Sequence, residues 1–143
     1  QTAAVEAAAA WLKARGAEGM VAVPGDVPLV PADEIAEVLA APGQAPAMTI
    51  VPAQDERGST CIARSPPDLI PFRFGNDSSK PHLKEAAARN VTPVILPLPG
   101  LGLDIDRPDD LAELAAAPGD SRAQRWLRDR GIVDRLPNGE SAA

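Results

Sequence analysis

Apolar and polar positions fall into short blocks of two different periods. Residues 2–15 are rich in Ala, with Val5, Trp11 and Leu12 as the larger apolar members. This predicts a helix that Thr2 can cap and that Gly16 or Gly19 can end. Residues 20–24 (MVAVP) are a continuous apolar run of strand length, closed by the turn sequence Gly25-Asp26-Val27-Pro28. Apolar residues on consecutive positions imply burial on both faces, as in a parallel sheet. Residues 31–39 (PADEIAEVL) return to helical spacing. Pro31 sits near the start, acidic residues fill the first turn, and Ile35, Val38 and Leu39 supply the apolar face.

Two β-type runs, 48–51 (MTIV) and 60–63 (TCIA), bracket the polar turn 54–58 (QDERG). That arrangement predicts an antiparallel pair with a loop at its end. Residues 72–79 (FRFGNDSS) form another loop, after which Ser78 or Ser79 can cap a helix running to about residue 89, with Pro81 tolerated in its first turn. Residues 91–98 (VTPVILPL) read as a strand interrupted by Pro93. Residues 101–105 (LGLDI) lead into 106–111 (DRPDDL), where Asp106 is an N-cap candidate and Pro108 lies in a first helical turn. A last helix is expected at 121–130 with Gly131 as its stop, and the tail from 136 onward (LPNGESAA) is expected to fray. Helix–strand alternation around an antiparallel insert predicts an open α/β sheet.

Composition narrows the function classes. At 143 residues one domain is expected. Aromatic residues make up 3% and Tyr is absent, which leaves little for single-stranded bases to stack on. The net charge of −6 repels a polyanionic backbone. Nucleic acid is therefore not an expected partner, whereas a small anion can still be captured by local donors. The single cysteine, Cys61, forms no internal disulfide and suits a reducing cytoplasm; it reads as a small core residue. No apolar run approaches the ~18 residues needed to span a bilayer. The opening QTAAVEAAAAWLKARG reads as helix rather than as a signal peptide.

Several stretches can carry chemistry. Asp26 follows a buried-type strand, where open α/β sheets bind ligands, and a carboxylate there can hold Mg2+; it reads equally as a loop residue capping the next helix. Asp104 and Asp106 are two apart, and at most one of them is expected to face a site. The alternative is an N-cap beside a solvated Asp. Asp109 and Asp110 lie in a first helical turn and read as structural. Gly58, Ser59 and Thr60, with Gly75 and Ser78, are small and flexible enough for an anion cradle, and also read as ordinary turns. Arg73 can add a bidentate phosphate contact or be solvated. His82, the lone histidine, makes no zinc site and no Ser-His-Asp hydrolase. It is expected to pack or hydrogen-bond on the helix after Ser78. No Walker A or G-x-G-x-x-G sequence occurs.

In order, GDVPLVPADEI, DERGSTCIA, PFRFGNDSSKPHLKEA and LPGLGLDIDRPDDLAEL resemble the 2-phospho-L-lactate guanylyltransferase family of coenzyme F-420 biosynthesis, whose bacterial branches use phosphoenolpyruvate or 3-phosphoglycerate. The family pattern is D-x-P-L after a strand, G-T-N/T-A-L, F-R-F-G-x-x-S-x-x-x-H and D-I/V-D-T-P-x-D-L. The resemblance implies a Rossmann-like nucleotidyltransferase fold, a three-layer α/β sandwich of the nucleotide-diphospho-sugar transferase type, of which this chain is the C-terminal portion. It implies residues 1–45 as the end of the nucleotide-binding half, 46–117 as the acceptor-binding part and 118–143 as a C-terminal helix and tail. It implies a cytoplasmic enzyme that transfers GMP from GTP to a phosphorylated acid with release of pyrophosphate. Mg2+ would sit on Asp26, Asp104 and Asp106, which are also the implied catalytic residues. Thr60, Gly75 and Ser78 match positions that cradle the acceptor, with Gly58, Ser59 and Arg73 beside them.

The chain departs from the pattern in several places. Ser59 replaces Thr, Cys61 replaces Ala, and Arg107 replaces the Thr of D-T-P, which removes a hydroxyl near the implied metal site. The family's P-V-K-x-L-x-x-A-K-x-R-L loop, which grips the triphosphate, is expected upstream of residue 1. The chain alone is expected to bind GTP poorly, to be inactive without that part, and to be prone to self-association through an uncovered sheet edge. Two other readings compete: a related molybdenum-cofactor or sugar nucleotidyltransferase, which FRFGxxSxxxH disfavours, and a non-catalytic anion-binding or interaction module.

Overall fold

The computed structural model describes residues 2–55, 57–75 and 77–136. Glu56 and Asn76 of the two polar loops, and the tail expected to fray beyond 136, lie outside the described residues. Helices α1 (Thr2–Ala14), α2 (Ala32–Ala40), α3 (Ser79–Ala87), α4 (Pro99–Gly102), α5 (Pro108–Ala116) and α6 (Arg122–Asp129) accompany strands β1 (Met20–Ala22), β2 (Ala47–Pro52), β3 (Ser59–Ser65) and β4 (Val94–Ile95). The fold is α/β, with a mixed four-stranded sheet in the order β1-β3-β2-β4 flanked by helices. No helix among the described residues is long and apolar enough to cross a membrane.

The expected hairpin is there: β2 and β3 pair antiparallel, with Ile50 opposite Ile62. Alternation sends Met48, Ile50 and Ile62 into one core cluster with Phe72 and Ala86, and Val51, Cys61 and Ala63 into another with Val38 and Leu101. Both faces are covered, so the central strands are buried at nearly every position and their sequences look continuously apolar. A third cluster, Leu103, Leu114 and Leu127, anchors α5 and α6.

β1 differs from expectation. It is an edge strand, antiparallel to β3, and only Ala22 is fully buried. Its neighbour in the sheet comes from some forty residues along the chain, a pairing that local pattern does not encode. Since β1 and β2 each oppose β3, and β4 runs parallel to β2, the strands β1, β2 and β4 all point the same way.

Three other details also depart. Leu39, assigned above to the apolar face of α2, is 59% exposed, while Glu34 on that helix is buried. The Glu34 carboxylate accepts the Gly100 N–H (2.8 Å) and the Leu101 N–H (2.7 Å), satisfying the start of α4. The strand expected over 91–98 is reduced to two residues, because the prolines at 93, 97 and 99 remove ladder donors. Finally, α5 begins at Pro108, and Asp106 is not its cap. The Asp110 carboxylate instead accepts the N–H groups of Asp106 (2.9 Å) and Arg107 (2.7 Å), which releases the Asp106 side chain from that duty. Helix α6 is where it was expected and Gly131 ends it at φ +57°, a backbone region that favours glycine; Ser121 is its cap and accepts the Gln124 N–H.

Candidate active site

The carboxyl ends of β1, β2 and β4 open onto one side of the sheet, where α/β proteins bind ligands. A cleft of about 630 Å³ lies there. Asp26, from the turn after β1, and Asp104 and Asp106, from the segment between α4 and α5, all line it. So do Gly58, Ser59 and Thr60 at the start of β3 and Gly75 and Ser78 before α3. Backbone bonds stitch these loops together. Ile105 N–H donates to Asp26 C=O (3.0 Å), Gln54 N–H to Gly102 C=O (2.9 Å), and Ser79 N–H to Arg57 C=O (3.2 Å).

Asp104 and Asp106 both line the cleft, where at most one was expected. Residues 103–106 are irregular backbone rather than strand. Asp104 is half-buried and Asp106 exposed. Burial holds the Asp104 carboxyl above its ordinary value, and the charges of Asp106, Asp26 and Asp55 push it further the same way. These four carboxylates therefore share one field. Among the described residues no three His, Cys, Asp or Glu side chains are gathered tightly enough to hold a metal ion by themselves. That donor set fits Mg2+, which takes one or two carboxylates and completes its shell with water and substrate phosphates.

The other side of the cleft offers hydroxyls and amides. The β2–β3 register shifts between Val51 and Pro52, so that Cys61 faces Val51 and Ser59 faces Pro52. Thr60 is the extra residue of this bulge, the kind of irregularity that re-aims a side chain beside a site. Its hydroxyl donates to Val51 C=O at 3.4 Å. Ser78, at the N-cap position of α3, does not cap it; its hydroxyl accepts the Ser59 N–H at 2.9 Å. Ser79 Oγ meets Arg57 C=O and Gly58 C=O at 2.8 and 2.9 Å, tying the helix start to the β2–β3 loop. Gly75, at φ +135°, takes a conformation that side chains disfavour, and Asp77 follows at φ 55°.

Arg73 is a correction. It does not line the cleft; it is exposed, with its guanidinium 4.0 Å from Glu85. The flanking Phe72 and Phe74 turn toward the core, which leaves the residue between them facing out. Arg57 does line the cleft, held at 3.0 Å by Asp77, whose carboxyl it keeps below the ordinary value. Its only signal in the sequence was its place next to Gly58. Arg107, Gln54, Asp55 and Glu113 also line the cleft.

His82 is fully buried. Its Nε2 accepts the Arg73 N–H at 2.8 Å, and Nδ1 lies 3.3 Å from Ser59 Oγ. Burial, then the positive charges of Arg64 and Arg73, lower its pKa from 6.5 to about 4. A histidine depressed in this way stabilises the fold fully above pH 6.5, and that contribution is lost as pH falls through about 4. The folding free energy is expected to decline across that window, and His82→Gln is expected to flatten the decline. Denaturant titrations at stepped pH measure it; an unchanged slope in the variant would contradict the assignment.

The chain is similar to proteins of known name. A family model described as "Guanylyl transferase CofC like" matches residues 2–141. A phosphoenolpyruvate guanylyltransferase of Rubrobacter xylanophilus is 35% identical over 73% of this chain and 51% of its own length. A 3-phospho-D-glycerate guanylyltransferase of Colwellia psychrerythraea is 36% identical over 78% of this chain and 53% of its own. A phosphoenolpyruvate guanylyltransferase of Roseiflexus castenholzii is 43% identical over 75% and 49%, respectively. The chain thus spans about half the length of these curated relatives. With the family match running over nearly its whole length, the chain belongs to the CofC-like guanylyl transferases.

Proposed function

We propose that the full-length protein transfers GMP from GTP to a small phosphorylated acid, of the phosphoenolpyruvate, 3-phosphoglycerate or 2-phospholactate class, in the biosynthesis of coenzyme F-420 in the cytoplasm. A phosphate oxygen of the acceptor attacks the α-phosphorus of GTP. The bond from that phosphorus to the bridging oxygen breaks, its electron pair leaves with pyrophosphate, and a phosphoanhydride joins GMP to the acid. The attacking phosphate is already ionised near neutral pH, so no protein base is needed. Positioning and charge neutralisation carry the rate. One or two of Asp26, Asp104 and Asp106 would hold Mg2+, which when bound supplies neutralising charge beside the reacting phosphates. The Ser59 and Ser78 hydroxyls, with Thr60 and the backbone of Gly58 and Gly75 beside them, would hold the acceptor phosphate, with Arg57 free to leave Asp77 for an anionic ligand. An exposed ion pair of that kind is worth little, so exchanging it costs little.

The observation that carries this reading is the convergence of Asp26 with Asp104 and Asp106 on the cleft that also holds the hydroxyls of Ser59, Thr60 and Ser78. Thr60→Ala and Ser78→Ala are expected to raise KM for the acid several-fold while leaving KM for GTP near wild type. Steady-state kinetics with each substrate varied in turn checks this. Equal increases in both constants would count against an acceptor cradle at these residues.

A further inference from the structure

We infer that His82 is a positioning residue: its neutral imidazole locks the two acceptor loops together and orients the Ser59 hydroxyl as a donor to an anion. The inference rests on the acceptor site proposed above. His82 does not line the cleft and cannot touch a ligand there. It stands one layer behind, fully buried on α3.

Its hydrogen bonds fix its tautomer. Nε2 accepts the Arg73 N–H at 2.8 Å, so that nitrogen carries no proton. The proton therefore sits on Nδ1, 3.3 Å from Ser59 Oγ, and donates to it. Ser59 N–H in turn donates to Ser78 Oγ at 2.9 Å. Each serine oxygen thus accepts a hydrogen bond from the protein, and each hydroxyl proton is left to point into the cleft. That polarity suits an anionic oxygen and opposes a cation.

The ring also sets the loop spacing. It meets Phe72 edge-on (6.3 Å, 86°) and Phe74 likewise (5.5 Å, 70°), and Phe74 lines the cleft. The imidazole thereby holds residues 72–75 through backbone and ring contacts, and residues 58–60 through Ser59. A protonated ring would aim an N–H at the Arg73 N–H, with Arg64 and Arg73 adding repulsion.

Two amide variants separate these bonds. His82→Asn places an amide nitrogen near Nδ1 and keeps the donor to Ser59. His82→Gln places an amide oxygen near Nε2 and keeps the acceptor for Arg73. In the full-length protein, His82→Gln is expected to raise KM for the acid roughly tenfold with KM for GTP unchanged, and His82→Asn to recover most of that loss. Equal changes in both KM values, or no recovery in His82→Asn, would overturn the inference. A measurement on the unmutated chain guards against variants that do not fold. Imidazole 15N shifts are expected to report the Nδ1–H tautomer, and titrated inorganic phosphate to shift the amides of Ser59, Gly75 and Ser78 together with Nδ1–H. An Nε2–H tautomer, or phosphate that moves none of these signals, would also overturn it. If the wild-type protein transfers no GMP, the functional reading fails, while the phosphate titration still decides the role of His82.

Discussion

Asp26→Asn in the full-length protein is expected to lower turnover by on the order of a hundredfold or more without loss of folded stability. The substitution keeps shape and removes one charge. Asp26 is exposed, and its structural tie is the backbone carbonyl that accepts the Ile105 N–H, which Asn preserves. The expected loss comes from the shared field of the cleft. Asp26 is close enough to Asp104 to raise the latter's pKa, so both charges act on the same small volume. Removing one also eases protonation-linked repulsion, so a small gain in thermal stability is compatible with the loss of activity. Steady-state turnover and a thermal melt on the same preparation check it. Near-normal turnover would remove Asp26 from the reacting centre.

Phe72→Ala is expected to cost about 3–5 kcal/mol of folding free energy, a large part of the ~5–15 kcal/mol that holds a domain together. Phe72 is 1% exposed. Its ring stacks on Phe74 at 5.2 Å and 17°, and the Arg64 guanidinium lies 3.6 Å above its centre. Arg64 is itself buried, and its Nη1 donates to Ile70 C=O while Nε has no hydrogen-bond partner among the described residues. Burial lowers its pKa to about 10, so it remains a cation at neutral pH. Deleting the ring leaves a cavity and strips that cation of its π-face contact, which desolvation makes worth more than at a surface. A urea midpoint with an unchanged m-value measures the cost. A loss under about 1 kcal/mol would mean that the core closes around the gap.

The same residue illustrates how far sequence could be read. In FRFG the motif looked like a binding loop, with Arg73 as its chemical member. The structure puts the two Phe rings against the core and turns Arg73 outward to Glu85, while Arg57 occupies the cleft. Both arginines stand next to or near a flexible glycine, and only the path of the chain in three dimensions distinguishes them. Local signals served better where the physics is local. The hairpin at 48–63, the helix stop at Gly131, and the turn at Gly25–Asp26 depend on neighbours in sequence. What was hidden depends on distant partners. Glu34 looked like an acidic residue easing a helix dipole, yet its carboxylate reaches residues 66 and 67 positions away. The four-residue α4, PGLG, carries the composition of a turn. The bulge that frees Thr60 arises from the offset of two strands and leaves no mark in either. Asp104 and Asp106 were visible as candidates, but that both line the cleft with Asp26 depends on the distant turn after β1.

The central claim is guanylyl transfer at a cleft shared by three carboxylates and the acceptor-loop hydroxyls. Its most direct test incubates the full-length protein with GTP, Mg2+ and, separately, phosphoenolpyruvate, 3-phosphoglycerate and 2-phospholactate, with products resolved by mass. One acid is expected to yield an adduct heavier by a guanylyl group, together with stoichiometric pyrophosphate, and chelation of Mg2+ is expected to abolish both. GTP left intact beside all three acids, with a demonstrably folded protein, would contradict it.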